Sequence, residues 1–192
     1  MGQLPLGSGR YLPLRFGRDH LRVEGSEVPV DLVYRKVGES DLEYPLECHC
    51  RVCHVTNNFR PGERPDYASF RARFQERGVW EESRGHMVAS SKDERTILSI
   101  VETRDGRRVG FLWVVFADWY EQHSADINDI YVEEGFRRQG AAMQMLSYVE
   151  AEARRRGANL LISGTGVDNE VSQKLHMKYG YELRRFEYQI WL

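Results

Sequence analysis

The second half of the chain carries the pattern that most restricts its fold, a strand, a helix and a strand in close succession. Residues 125–132 and 160–163 are predicted strands. Between them, residues 140–156 place apolar side chains on one face of a helix, namely Ala142, Met145, Leu146, Val149 and Ala153. A helix that joins two strands of one sheet forms a βαβ crossover, so the chain is predicted to be an α/β protein.

The remaining segments are predicted to complete this sheet and to cover it. The predicted strands are residues 28–34, 96–103, 108–117 and 181–191, and Asp105-Gly106 is a hairpin turn between the second and third of them. The predicted helices are residues 41–57, capped by Ser40 or Asp41, then 66–77, then 79–94 as either a helix or a mobile loop, and a last one capped by Asp168 or Asn169 and ending at Tyr179.

Composition narrows the class of protein. The chain has 192 residues, 27 of them basic and 29 acidic, which gives a formal net charge of −2. That length suits one domain, and the balanced charge is unlike the basic surface of a general nucleic-acid binder. No apolar run approaches the roughly 20 residues of a membrane span, and residues 1–10 lack the apolar core of a signal peptide. We therefore expect a cytoplasmic protein without a nucleic-acid or membrane partner, formed by a domain at residues 28–192 behind an N-terminal extension at residues 1–27.

All three cysteines lie in one heptapeptide, Cys48-His49-Cys50-Arg51-Val52-Cys53-His54. Five potential ligands in seven residues suggest a metal, but a structural zinc site joins two separated ligand pairs, and no second pair exists. Leu42, Leu46, Cys50 and Cys53 recur at helical spacing, which favours packing along a buried stripe. The sequence thus predicts no metal site, with His49 and His54 beside the stripe.

The loop after the strand at residues 125–132 has the features of a phosphate site. Arg137 and Arg138 supply positive charge, and Gly140 begins a helix whose first backbone N–H groups have no intrahelical partner. Small side chains at Ala141 and Ala142 let an anion approach the backbone closely. The alternative is an ordinary helix start with two solvated arginines. Neither a Gly-Lys-Ser/Thr phosphate loop nor a Gly-x-Gly-x-x-Gly dinucleotide fingerprint is present.

Two motifs resemble one known family. Arg137-x-x-Gly140-x-Ala142, after a strand ending Ile130-x-Val132, resembles the coenzyme A signature Arg/Gln-x-x-Gly-x-Gly/Ala of the GNAT superfamily of N-acetyltransferases. Asn169 followed by Leu-His-Met-Lys-Tyr-Gly-Tyr at residues 175–181 resembles that family's Asn…Leu-Tyr-x-Lys-x-Gly-Phe segment. The resemblance is strong over residues 96–190, rests on a strand and two helices over 28–95, and does not cover 1–27.

The resemblance implies a mixed, V-shaped (splayed) central sheet flanked by helices, and direct transfer of an acetyl group from acetyl-CoA to a primary amine. Main-chain groups of Ile130 to Val132 would hold the pantetheine arm, amides of Arg138 to Ala142 would hold the pyrophosphate, and Asn169 would contact the arm as well as cap its helix. The implied coenzyme-binding residues are Ile130, Tyr131, Val132, Arg137, Arg138, Gln139, Gly140, Ala141, Ala142 and Asn169.

The implied catalytic residues depart from the family pattern. His176 stands where the family often has a Tyr that protonates the leaving thiolate, and Asn128 stands where several members carry a Glu. Asp126, acting through a water, is the first candidate base and Asp129 the second, unless both are merely solvated or capping residues. Simple alternation places Asp126 on the face of Asn128 and Asp129 on the other face, and a bulge would upset that parity.

The amine acceptor is not identified by the sequence. The family's acceptor pocket is lined by the first two helices and nearby loops, which here gives His49, His54, Tyr67, Trp80, Glu81, Glu82 and His86 as candidates. The alternative function is a GNAT-fold regulatory module that binds coenzyme A without turnover. The N-terminal extension and residues 186–192 are candidate contacts of a homodimer.

Overall fold

The structure is a computed structural model that describes residues 31–60, 62–185, 187, 189 and 190. Within these ranges the strands are β1 (Leu32–Lys36), β2 (Thr96–Thr103), β3 (Arg108–Trp119), β4 (Gln122–Val132) and β5 (Leu160–Ser163). The helices are α1 (Glu43–Thr56), α2 (Tyr67–Glu76), α3 (Val79–Lys92), α4 (Ala141–Arg155) and α5 (Glu170–Tyr179). Short 3-10 helices occupy Glu39–Asp41 and Glu134–Phe136.

The five strands form one mixed sheet in the order β1-β2-β3-β4-β5. Strands β1 to β4 pair with one another in antiparallel fashion. Strand β4 also pairs with β5 in parallel, and helix α4 forms the crossover between them. The turn between β2 and β3 contains Gly106 at φ +82°, a conformation that an Asp-Gly hairpin turn favours. The predicted mixed α/β sheet is confirmed.

Each face of the sheet carries its own apolar core. Helices α1, α2 and α3 cover one face, where Leu46, Met87 and Phe111 are fully buried. Helix α4 packs on the other face through Met145 and Leu146, joined by partly buried side chains of α5. Successive side chains along a strand point to opposite faces of the sheet. Each buried side chain of β4 therefore faces either the α1 side or the α4 side.

The sheet opens between β4 and β5, as the splayed architecture requires. Their parallel pairing runs from Ser124 opposite Leu160 to Ile127 opposite Ser163, whereas β4 itself continues to Val132. A bulge coincides with the parting point, because Trp113 on β3 lies opposite Asp129 while its neighbour Val114 lies opposite Ile127. Residues 128–132 therefore present an outer backbone edge that β5 does not cover.

Several element boundaries differ from the sequence predictions. Strand β1 begins at Leu32, and residues 28–30 lie outside the described ranges, as does the predicted extension at residues 1–27. Residues 79–92 are helical, which decides between the helix and the loop. None of the described helices is both long and apolar enough to span a membrane.

The predicted final strand at residues 181–191 is wrong for the part of it that the structure describes. Residues 181–185, 187, 189 and 190 are not in a strand. The backbone N–H of Tyr181 donates to the His176 carbonyl at the end of α5 and is thereby removed from any sheet ladder. Leu183 and Ile190 are 74% and 84% exposed, so neither of these two apolar side chains covers a sheet face.

Candidate active site

The chain turns sharply after β4 and leads into the start of a helix. The Glu133 N–H donates to the Val109 carbonyl, a short 3-10 helix follows, and Arg138 and Gly140 adopt left-handed φ values of 62° and 82°. Helix α4 then begins at Ala141, whose side chain is 2% exposed. The N–H groups of the first turn of α4 lack intrahelical acceptors, and with the helix dipole they form a site suited to a phosphate.

Two side chains of this loop form hydrogen bonds to the backbone, and a third carries a solvent-exposed charge. Arg137 Nε donates to the Val132 carbonyl at 3.0 Å, which ties the loop to the end of β4. Gln139 Nε2 donates to the Gly135 carbonyl at 2.8 Å within the loop. The Arg138 side chain is exposed beside the start of α4. Arg137 and Gln139 thus hold the loop's shape, and Arg138 is the side chain placed to meet an anion.

Gly110 fixes the open end of β4 against β3. A Cβ atom at Gly110 would lie 2.0 Å from the Tyr131 carbonyl oxygen, so no other residue fits there without moving β4. Gly110 lies opposite Val132 in the register. Gly110 is absent from the predicted site residues, although a glycine inside a strand pattern is the available signal of close backbone approach.

The bulge changes which face each carboxylate of β4 occupies. Asp126 lies opposite Val115 and Asp129 opposite Trp113, and both partners face the α1 side of the sheet. Asn128 is the extra residue and is exposed. The prediction from simple alternation, that Asp129 faces away from Asp126, is therefore wrong, because the inserted residue shifts the parity of every residue after it.

A buried ion pair joins α1 to the open part of β4. His49 Nδ1 lies 2.6 Å from Asp129 Oδ2, with the two side chains 19% and 3% exposed. Burial lowers the pKa of His49, but the hydrogen bonds with Asp129 and Cys53 outweigh it and raise the pKa to about 10. His49 accordingly carries its proton at neutral pH, and Asp129 is its counter-charge.

Two polar side-chain atoms on the α1 face of the sheet are buried without a hydrogen-bond partner among the described residues. They are Asp126 Oδ1 and Trp113 Nε1. The Trp113 ring also meets the His49 ring edge to face, with centroids 5.7 Å apart. Unsatisfied buried polar atoms are uncommon in native proteins, and Tyr44, Thr165 and Tyr181 carry the others among the described residues.

The cysteine cluster packs as the helical spacing predicts, with one exception. Leu42, Leu46 and Cys50 are at most 4% exposed, whereas Cys53 is only partly buried. The Cys53 Sγ lies 3.5 Å from His49 Nε2. The additional buried residue is Cys48, at 1%. Among the described residues, no group of three His, Cys, Asp or Glu side chains is arranged to hold a metal ion.

His176 lies at the opening of the sheet, on the side of α5. Its Nδ1 donates to the Ser172 carbonyl at 2.6 Å, and its Nε2 lies 2.7 Å from the hydroxyl of Ser163. Ser163 is the last residue of β5 that pairs with β4. Asn169 caps α5 by accepting from the Ser172 N–H at 3.2 Å, which confirms its predicted capping role.

Four of the other acceptor candidates are engaged in the core, in hydrogen bonds or in a surface ion pair. Trp80 is 5% exposed and belongs to the core, so it lines no open pocket. His54 Nε2 bonds the Pro65 carbonyl at 2.8 Å, and Tyr67 donates to Glu47 at 2.8 Å. Glu81 forms an ion pair with Arg84 on the surface of α3. Of the candidates, His49 is the one that the structure places beside β4.

An α/β fold with an open strand edge leading into a helix start with free backbone N–H groups defines a class of protein whose architecture suits an extended, phosphate-bearing ligand. The Acetyltransferase (GNAT) family model matches residues 57–181 of this sequence. That match covers more than half of the chain, and the protein belongs to this family. The resemblance to the GNAT superfamily is thus confirmed.

Individual relatives agree with this assignment. The N-acetyltransferase YdgE of Bacillus subtilis (strain 168), itself described as uncharacterized, is 29% identical over 104 residues, which are 54% of this chain and 66% of that protein. The aminoglycoside N-acetyltransferase AAC(6')-Iy, solved in complex with CoA, superposes with a TM-score of 0.58 at 19% identity, covering 83% of this chain and 94% of its own.

Two further solved structures show the same fold. One is the aminoglycoside 6'-N-acetyltransferase AAC(6')-Ih from Acinetobacter baumannii, with a TM-score of 0.56, 15% identity, and coverage of 83% of this chain and 99% of that one. The other is glucosamine-6-phosphate N-acetyltransferase from Arabidopsis thaliana, with a TM-score of 0.51, 16% identity, and coverage of 83% and 97%. At these identities the likeness concerns the fold.

Proposed function

We propose that the protein transfers an acetyl group from acetyl-CoA directly to a primary amine. One observation carries the proposal, the outer backbone edge of residues 128–132, which runs without interruption into the loop and the start of α4. Unpaired backbone groups on an open edge bind an extended chain bearing amides, and a free helix N-terminus binds phosphate. Pantetheine joined to a pyrophosphate has these two parts in this order.

In this proposal the backbone holds the coenzyme. Main-chain groups of Ile130 to Val132 pair with the pantetheine arm, and the amides of Arg138 to Ala142 receive the pyrophosphate. Arg137 and Gln139 keep the loop in shape, as their bonds to Val132 and Gly135 support. Asn169 uses its oxygen as the α5 cap, which leaves its side-chain amide as a donor to the arm.

The chemistry requires a base, an oxyanion site and an acid. The amine loses a proton and attacks the thioester carbon, a backbone N–H near Val132 stabilises the oxyanion, and the leaving thiolate takes up a proton. Asp126 remains the first candidate base because one of its carboxylate oxygens has no partner among the described residues, whereas Asp129 is held by His49. Asn128, exposed at the bulge, orients a water.

His176 is the proposed acid. Its Nδ1 is fixed by the Ser172 carbonyl, so a charged ring directs its second N–H at the Ser163 hydroxyl, where β4 and β5 part. The thiolate of coenzyme A would be protonated there, directly or through that hydroxyl. The acceptor is proposed to be a small amine, since AAC(6')-Iy is also described in complex with a CoA–acetylneamine bisubstrate analog. A cytoplasmic location and a homodimer stay predictions.

A coenzyme A-binding module without turnover is the second candidate function. It is favoured by the engagement of both ring nitrogens of His176 and by Asn128, whose amide cannot accept a proton at neutral pH. In that case the open edge and the loop bind coenzyme A, and no amine is acetylated.

Calorimetry with coenzyme A and a thiol-release assay with acetyl-CoA distinguish these functions. The amine panel comprises an aminoglycoside, a polyamine, amino acids and peptides with free N-termini. Turnover that falls at least about a hundredfold in His176→Phe, but not in the control His123→Phe at the distant β3–β4 hairpin, supports the transferase. Binding without turnover on any amine favours the module. Absence of coenzyme A binding overturns both.

A further inference from the structure

Helix α1 carries an arginine beside the part of β4 that leads into the coenzyme loop. The Arg51 side chain is 45% exposed, and its guanidinium stacks on the Tyr67 ring of α2 at 4.5 Å. We propose that Arg51 binds an anionic group of the acceptor, so that the acceptor is an amine that also bears a carboxylate or a phosphate close to the reacting nitrogen. The inference rests on the proposed function and names the substrate class of that same site.

Tyr131 on β4 packs toward α1 and meets the Arg51 charge there. It lies opposite Phe111 in the register, and both rings pack in the core on the α1 side of the sheet. Burial and the Glu133 carboxylate raise the pKa of the Tyr131 hydroxyl, and the Arg51 charge opposes them. Such an effect decreases with distance, so Arg51 and Tyr131 are neighbours.

This turn of α1 is held against the open edge of β4. The contact between His49 and Asp129 at 2.6 Å fixes the helix on the strand. Arg51 and Tyr131 each follow that contact by two residues. Tyr131 belongs to the outer edge at residues 128–132 and directly precedes Val132, near which the proposed oxyanion site lies. An acceptor that approaches the thioester from the α1 side therefore has Arg51 beside it.

The counter-charge of Arg51 is shared with a second arginine. Glu47 pairs with Arg51 Nη2 at 3.0 Å and with Arg71 Nε at 2.8 Å. Glu47 also accepts a hydrogen bond from the Tyr67 hydroxyl at 2.8 Å. One carboxylate cannot neutralise two guanidinium groups. The pair with Glu47 occupies one nitrogen of Arg51, whereas a guanidinium has five N–H donors in a planar fork that matches a carboxylate or a phosphate.

The end of β4 adds one charge of each sign and leaves this surplus in place. Arg137 stacks on the Tyr131 ring at 5.8 Å, and the Tyr131 hydroxyl lies 3.5 Å from Glu133 Oε2. Three guanidinium groups thus accompany two carboxylates around Tyr131 and Tyr67. A polycationic acceptor is repelled by such a surface, whereas an amine with an anionic group gains a charged hydrogen-bond partner.

Arg71 has the same charge in a different position and therefore provides a matched control. It shares Glu47 with Arg51, but its guanidinium stacks on the Trp80 ring at 4.8 Å, and Trp80 belongs to the core formed with α3. Loss of Arg71 frees the same carboxylate as loss of Arg51 does. It removes no charge from beside Tyr131.

Paired acceptors measure the contribution of the anionic group. The full chain is assayed by thiol release with amino acids and with the amides of the same amino acids, and with phosphoethanolamine and ethanolamine. The members of each pair are compared at equal concentrations of the unprotonated amine. We expect kcat/KM to be about ten- to a hundredfold higher for an anionic member, the range of a charged hydrogen bond. The two arms distinguish a carboxylate from a phosphate.

Variants assign the preference to Arg51. Arg51→Gln should abolish it by raising KM for the anionic acceptor, with kcat for the uncharged partner unchanged. Arg51→Lys should restore part of the preference, because it keeps the charge without the fork. Arg71→Gln, the control, should retain the preference. The exposed pairs with Glu47 contribute little to stability, and thermal unfolding verifies that each variant is folded.

The outcomes separate this inference from the proposed function. Acetylation of polyamines, aminoglycosides or amino acid amides in preference to anionic amines overturns the inference and leaves the transferase intact. A preference that persists in Arg51→Gln, or that is lost equally in Arg71→Gln, overturns it as well. A protein that binds coenzyme A and acetylates no amine refutes the transferase and this inference together.

Discussion

The two sides of the sheet opening are built differently. The proposed coenzyme side consists of backbone, namely the free edge of residues 128–132 and the first turn of α4, shaped by left-handed φ values at Arg138 and Gly140. The proposed acceptor side consists of side chains from α1 and β4, centred on the buried pair of His49 and Asp129. We infer that substitutions on the first side change coenzyme affinity and those on the second change stability and chemistry.

The largest expected effect is the loss of the buried pair. Asp129→Asn keeps the shape of the side chain but leaves His49 without its counter-charge, and removing one partner of a buried pair costs about 3 kcal/mol. The chain provides a matched control in Asp118→Asn, because Asp118 pairs with His123 at 2.7 Å on the exposed β3–β4 hairpin. Exposed pairs contribute little. Urea unfolding measures the loss of unfolding free energy in each variant. Equal losses would contradict the expected difference between the buried and the exposed pair.

The pH dependence of stability gives the next effect. The pKa of His49 is about 10 in the folded protein against 6.5 unfolded, so the folded state binds the extra proton between these values. The stabilisation is complete below about pH 6.5 and is lost as the pH rises through about 10, with roughly 2 to 3 kcal/mol lost between pH 7 and 9. Between pH 7 and 9 the free energy of unfolding should fall less in His49→Gln than in the unsubstituted protein. Parallel curves of unfolding free energy against pH for the two proteins would refute the raised pKa.

Gly110 tests whether the open edge depends on close backbone approach. Gly110→Ala introduces a Cβ that would lie 2.0 Å from the Tyr131 carbonyl oxygen, so β4 must shift. We expect a loss of about 1 to 3 kcal/mol, as for other overpacked sites, and weaker coenzyme A binding. Gly85→Ala on α3, where a Cβ meets nothing within 4 Å, should be neutral or stabilising. Unchanged coenzyme A affinity in Gly110→Ala would show that this edge does not bind the coenzyme.

The smallest expected effect concerns a side chain on the coenzyme side. Arg138→Ala should weaken coenzyme A binding by about tenfold or less, with a smaller difference at high salt because the arginine is exposed. Its free energy of unfolding should not fall. Arg155→Ala, at the far end of α4, is the control and should bind normally. A destabilised Arg138→Ala would show that the loop depends on this side chain for its shape.

The sequence predicts the loop and helix start on the proposed coenzyme side well because their determinants are local. Arg137 to Ala142 are six consecutive residues, and the loop and helix start they predict are present at Gly140 and Ala141. The acceptor side depends on contacts between distant residues. His49 and Asp129 lie 80 positions apart, and the facing of Asp129 depends on how β4 pairs with β3 at Trp113. Alternation along β4 alone contains no information about that bulge.

The same reasoning accounts for the error at the end of the chain. Apolar side chains at residues 181–191 suggested a strand, but a strand also needs a partner ladder, and sequence spacing does not report one. The Tyr181 N–H is used by the α5 cap instead. For α1 the opposite holds, because its buried stripe of Leu42, Leu46 and Cys50 follows directly from helical spacing.

The bulge has a consequence for how this enzyme scaffold diversifies. Asn128 is an extra residue with no cross-strand partner and an exposed side chain, so its identity is free of the packing constraints that bind its neighbours. Evolution can therefore replace the functional group at the mouth of the opening by a single codon change while the sheet, both cores and the coenzyme edge stay as they are. Protein engineers have the same freedom, and Asn128→Glu is the natural first variant for installing a new proton acceptor there.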